Sequence, residues 1–156
     1  MRVEWNGELC GCGMRGCLEA YIGGACWTRR LREITPPSSR VAALAGGREK
    51  ATPEQVVEAA REGDEFALAE MERFNNYLAQ ALVNLTFALA PEVFVLGTIA
   101  VAAGEALCFA PVRERVAAYT WPSLSRELRI VPAALGNQLA DYAGLSVAID
   151  GLRAAV

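Results

Sequence analysis

Cys10-Gly11-Cys12-Gly13-Met14-Arg15-Gly16-Cys17-Leu18-Glu19-Ala20-Tyr21 is the stretch on which the reading of this sequence turns. Its cysteines follow C-x-C-x4-C, and three glycines between them let the backbone wind tightly around a small object. Thiolates at this spacing suit a tetrahedral zinc ion with Zn–S distances near ~2.3 Å. Three unrelated buried cysteines or a redox loop are the competing readings, and the clustering favours zinc over both. Structural zinc takes four ligands. Cys10, Cys12 and Cys17 supply three, while Cys26 falls within a helical pattern and reads as a core thiol. The fourth position is open.

Upstream, Met1 to Trp5 alternates apolar and polar residues, and Asn6-Gly7 predicts a tight hairpin turn returning into Cys10. Downstream, Leu18, Tyr21, Ile22, Ala25 and Cys26 share one helical face, so a helix is expected from Leu18 to Ile34. Gly23-Gly24 lies inside it, at about 1 kcal/mol per glycine relative to alanine. Either something approaches that backbone closely or the helix begins after the pair. Thr52-Pro53-Glu54-Gln55 opens the next helix with a capping box and a proline at the first position. Asp64 caps a longer one, with Leu68, Met71, Leu78, Leu82, Leu85 and Leu89 on one stripe and Asn75 and Asn76 interrupting it. Pro91 ends that helix. Val93 to Leu96 reads as a strand buried on both faces. A helix from Ala100 to Tyr119, broken or kinked at Pro111, a second strand at Ile130-Val131 and a last helix from Leu139 to Leu152 complete the chain.

Strands alternating with helices indicate an α/β layer with parallel pairing. The 156 residues suit a single domain, divided here into a zinc hairpin-loop (1–17), a helical segment (18–89) and an α/β segment (90–156). A net charge of −3 gives no electrostatic footprint for nucleic acid. No apolar run reaches the ~18 residues of a membrane span, and the first residues lack the apolar stretch of a signal peptide. A cytoplasmic protein with reduced thiols is expected. The chain contains no histidine, which excludes Ser-His-Asp and Cys-His hydrolysis within it.

The stretch from Cys10 to Tyr21 resembles the zinc signature CxCGxxGCxE of the ROK family of sugar kinases and sugar-responsive repressors. Ala90-Pro91-Glu92-Val93-Phe94-Val95-Leu96-Gly97 resembles that family's NPExIVLGGG stretch. Gly104 to Arg115 resembles its PVRERV helix, and Ile130 to Gly136 with Ala143-Gly144-Leu145 its terminal IVPAxLGxxAG. The resemblance implies the carboxy-terminal half of an actin-like, ribonuclease-H-like sugar kinase fold. The fourth zinc ligand would be a histidine of a Gly-His pair just before Met1. The activity implied is ATP- and magnesium-dependent phosphorylation of a hexose, most often glucose, and family members are commonly dimers. Of the sugar-binding residues, the glutamate of the motif is Glu19, whose other reading is a solvated first-turn glutamate. Gly97 is the remnant of the nucleotide loop. No catalytic residue of the family maps onto this chain, because the phosphate loop and the catalytic aspartate belong to the amino-terminal half.

The sequence departs from the family where LGGG becomes Leu96-Gly97-Thr98-Ile99. Two β-branched residues replace glycines, and such residues resist positive φ. Residues 137–142 lengthen the turn before Ala143-Gly144, and Ser146-Val147-Ala148 replaces GAA. Three functions are consistent with this pattern: a glucokinase-type half inactive alone, the sugar-sensing half of a repressor, or a zinc-stabilised oligomerisation module. The wording near Arg113 favours the first, and Thr98-Ile99 the other two.

Overall fold

The computed structural model describes residues 1–154, with nothing said of the side chains of residues 137, 139, 140 and 154. The helical expectation after Cys17 is met in two pieces, α1 (Leu18–Ile22) and α2 (Gly24–Ile34). Gly23 separates them in an extended conformation, φ −65° and ψ 135°. Two short helical turns lead on, α3 (Arg40–Ala45) and a 3-10 turn at Arg48–Lys50.

Helix α4 (Pro53–Arg61) starts as its sequence predicts: the Thr52 amide donates to Gln55 Oε1 at 3.0 Å, closing the capping box. Asp64 caps α5 (Glu65–Leu89) by accepting from the Ala67 amide at 2.8 Å. Helix α5 is the spine of the molecule, packed by α4 on one side and α7 (Ala110–Tyr119) on the other. Its buried face differs from the leucine stripe. Met71, Leu78 and Leu82 are inside, whereas Leu68 is 41% and Leu89 70% exposed. In their place Glu70 and Asn75 are buried. Glu70 accepts from the Trp27 indole at 3.0 Å and from Arg30 at 3.2 Å. Asn75 donates to the Leu107 carbonyl at 2.8 Å. Glu70 survives inside because its hydrogen bonds are made there, whereas Asn75 is held through its amide nitrogen alone, its Oδ1 having no partner among the described residues. Trp27 stacks on Phe74 at 5.1 Å, and Leu31, Val41, Val56, Phe109 and Val112 complete the main core.

After Ala90, in the left-handed region, Pro91 precedes β1 (Val93–Leu96). Strand β1 pairs in parallel with β2 (Arg129–Pro132), Val93 opposite Arg129 and Leu96 opposite Pro132. The strand is not buried on both faces: Phe94 and Leu96 pack on the core, while Val95 is 61% exposed. Among the described residues only one side of this pair carries helices, so one set of alternating side chains remains open.

The helix expected from Ala100 is interrupted at Gly104, where φ is 75°, rather than at Pro111. Helix α6 (Ile99–Gly104) is followed by a π turn at Glu105–Phe109 and then α7, with Pro111 in its first turn where no amide is required. A short helix α8 (Pro122–Ser125) precedes β2, and a 3-10 turn at Gly136–Gln138 leads to α9 (Leu139–Ala154). Helix α9 leaves Tyr142, Leu145, Val147, Ile149 and Leu152 exposed.

The hairpin expected at Asn6-Gly7 does not form. Isolated antiparallel bridges join Arg2 to Cys17 and Leu9 to Arg15, so the chain reverses at the cysteines instead. Gly7 is needed for another reason: a Cβ there would lie 1.8 Å from the Tyr21 hydroxyl.

Candidate functional site

The turn at the tip of the cysteine loop is closed by Cys10 N–H to Met14 O at 2.8 Å and Gly13 N–H to Cys10 O at 2.9 Å. This folding gathers the Sγ atoms of Cys10, Cys12 and Cys17 within 4.8 Å of one another, with Cys12 and Cys17 at 3.7 Å. Cys10 and Cys17 are buried and Cys12 is exposed. The Met14 backbone, and then the thiols of Cys10 and Cys17, hold the Cys12 thiol below its ordinary value. The same hydrogen bond to Cys12, followed by burial, pushes Cys17 up. Three sulfurs at this separation, one of them biased towards thiolate, fit a soft divalent cation. Cys26, half-buried on α2, stands outside the group, as does buried Cys108, whose thiol burial pushes up to about 11.

Cys17 is the N-cap residue of α1, so the helix carrying Glu19 starts at a cysteine of the loop. The Glu19 carboxylate has no hydrogen-bond partner among the described residues. It lies against Gly23, where a Cβ would stand 2.0 Å from Glu19 Oε1 and 2.5 Å from the Glu19 carbonyl. The close approach implied by a glycine inside the helical pattern is therefore made by this side chain and the last turn of α1. Glu19 opens into a cleft of about 620 Å³, lined also by Thr28, Glu54 and residues Leu96 to Ala100. The structure thus brings Glu19 and Gly97, distant in sequence, to one cavity. Gly97 is not in the positive-φ region; that conformation falls on Thr98, with φ 49° and ψ −121°. Glu54, at the first turn of α4, and Thr28 of α2 were not legible as cleft residues, because each is an ordinary polar residue on a helix. Among the described residues no group of three acids converges there to hold a metal ion.

Comparison with known proteins identifies the family. The ROK family model matches residues 1–147. The chain belongs to the ROK family. It is 41% identical over 135 residues to a glucokinase of Thermotoga maritima, a match covering 85% of this chain and 42% of that protein. It is 21% identical over 150 residues to a xylose repressor of Bacillus spizizenii, covering 96% of this chain and 35% of the repressor. The solved ROK glucokinase of Streptomyces griseus in complex with glucose and AMPPNP superposes with a TM-score of 0.75 at 26% identity, covering 88% of this chain and 46% of that one. The fold is that of the ROK sugar kinases, and the chain spans less than half the length of these relatives. No helix among the described residues is long and apolar enough to cross a membrane.

Proposed function

We propose that residues 1–156 form one lobe of an ATP-dependent hexose kinase, with glucose as the substrate of the complete protein. The observation that carries this reading is the unpartnered Glu19 carboxylate, set in the same cleft as the Leu96–Ile99 loop. Identity to a glucokinase, about twice that to the repressor, supports a kinase over a sensor. Glu19 accepts hydrogen bonds from sugar hydroxyls, and the loop around Gly97 borders the nucleotide. Cys10, Cys12 and Cys17 hold one structural zinc ion, with the fourth ligand supplied by water, a carboxylate or another chain. The lobe divides into a zinc loop (1–17), a helical segment (18–89) and an α/β segment (90–156).

Phosphoryl transfer requires the phosphates and their metal to be held, a base for the hydroxyl proton and a closed cleft. No residue of this chain matches the family's phosphate loop or catalytic aspartate, and on this reading the chain by itself phosphorylates nothing. A coupled ADP-release assay with glucose, ATP and magnesium is expected to stay at background. Glucose itself binds weakly: one charged hydrogen bond contributes about 1.5–3 kcal/mol, which places the affinity at millimolar or weaker. Calorimetric titration should show binding in the native chain and a loss of about tenfold in Glu19→Gln. Equal response of the two proteins would assign Glu19 to the solvated surface.

A second reading, the effector half of a repressor, is favoured by one observation, the β-branched Thr98 in a glycine conformation at the nucleotide loop. That reading requires sugar binding with no response to ATP or its non-hydrolysable analogues.

A further inference from the structure

Besides the direct Glu8–Tyr21 contact, one side chain on α5 bridges the cysteine loop and the Glu19 helix. Arg73 is 17% exposed. Its guanidinium donates to the Tyr21 carbonyl at 2.9 Å and to Glu8 Oε1 at 3.2 Å. It lies 5.5 Å from the Tyr21 ring centroid and 5.3 Å from that of Tyr77, and these two rings stack at 4.1 Å. The Tyr21 hydroxyl accepts from the Glu8 amide at 2.9 Å, and the Glu8 carbonyl accepts from the Gly16 amide at 2.8 Å. Glu8 therefore belongs to the frame of the cysteine loop, and Tyr21 to the last turn of α1, just beyond Glu19.

Helix α1 has five residues, too few to hold a helical conformation or an orientation by itself. Its direction is imposed at its ends, by Cys17 at the start and by the Arg73 contact with the Tyr21 carbonyl near the finish. The geometry points to Arg73 as a positioning residue that fixes the cysteine loop and the Glu19 helix in one mutual orientation, linking metal binding at the cysteines to the cleft. This rests on the metal and sugar reading above for its consequences, though the contacts themselves do not. The role needs a planar fork that donates in two directions while stacking on aromatic faces, which arginine supplies and lysine does not. By linkage, whatever factor metal loading adds to sugar affinity, sugar adds to metal affinity.

The test uses the whole chain and the variants Arg73→Met, Arg73→Lys, Glu8→Gln and the Arg73→Met/Glu8→Gln double substitution. Amide hydrogen exchange reads the contacts without reference to ligand. In Arg73→Met, the protected amides of the loop, Cys10 and Gly16, and those of α1 should open together, while those of α4 and α7 keep their protection. Zinc competition against a chromophoric chelator should show affinity lower by about 10–100-fold, the range found for partners that orient metal ligands. Arg73→Lys should fall between, and the double variant should be no weaker than Arg73→Met, since both remove one link. Protection retained in the loop and α1, or lost throughout the chain, would overturn the proposal, as would full additivity of the two substitutions. Should the unsubstituted chain bind no zinc, the metal reading fails, and the exchange pattern still decides the role of Arg73.

Discussion

Replacing Thr98 by glycine should stabilise the chain. Thr98 has φ 49° and ψ −121°, a conformation suited to glycine, and carries a β-branched side chain there. Its neighbours fix the backbone on both sides. The Ala102 amide donates to Thr98 O at 3.0 Å at the start of α6, and the Ala133 amide to Leu96 O at 2.8 Å beyond the end of β2. Such a residue is held against a local cost of about 1–3 kcal/mol. Glycine removes that cost but adds unfolded-state entropy of about 0.4–1 kcal/mol. The net gain is about 0.5–2 kcal/mol, or a rise in Tm of about 1–8 °C for a chain of this size. Thr98→Ala keeps a Cβ and should recover little of it, so the glycine–alanine difference isolates the backbone contribution. Differential scanning calorimetry and urea titration with unchanged m-value are the measurements. A Thr98→Gly protein that melts at or below the parent temperature would refute the assignment of strain. On the kinase reading, the same substitution should also strengthen binding of a fluorescent ATP analogue, because the loop backbone becomes accessible.

Protein purified without chelator should contain close to one zinc ion per chain, and Cys12→Ser should lower that content sharply; metal content indifferent to the substitution would remove Cys12 from the site. Cys108 is fully buried and its thiol is pushed from 9.0 to about 11. Its folded-state value lies above the unfolded one, so the neutral thiol contributes stability that is complete below pH ~9 and is lost as pH rises towards ~11, by about 1–3 kcal/mol. Urea denaturation across that range should show the decline in the parent and a shallower one in Cys108→Ala, measured as the difference from each protein's neutral-pH value. Helix α9 exposes Leu145, Val147 and Ile149; the side chain of Leu139, at its start, lies outside the described residues. Exposed apolar side chains on one helix favour association, so light scattering at micromolar concentration should report a dimer or larger; a clean monomer is the contrary result.

The sequence by itself determined those features whose physics is local. The Thr52 capping box and the Asp64 cap formed as their spacing requires, because each joins groups three residues apart. The three cysteines converge because a short glycine-rich loop leaves them little else to do. The motifs that carried the family resemblance are likewise contiguous stretches. Tertiary structure decided what depends on distant partners. The buried face of α5 is set by its neighbours: Trp27 and Arg30 of α2 receive Glu70, the Leu107 carbonyl of the π turn receives Asn75, and Leu68 and Leu89 are left outside. The sequence shows Arg73 as one more charge on a long helix, and its two partners lie 52 and 65 positions away. Glu19 and the Leu96–Ile99 loop meet only when α5 has carried the chain across the molecule and β1 has brought it back. The positive φ of Thr98 follows from the same cause: the pairing of β1 with β2 and the start of α6 dictate that backbone, and the residue type does not.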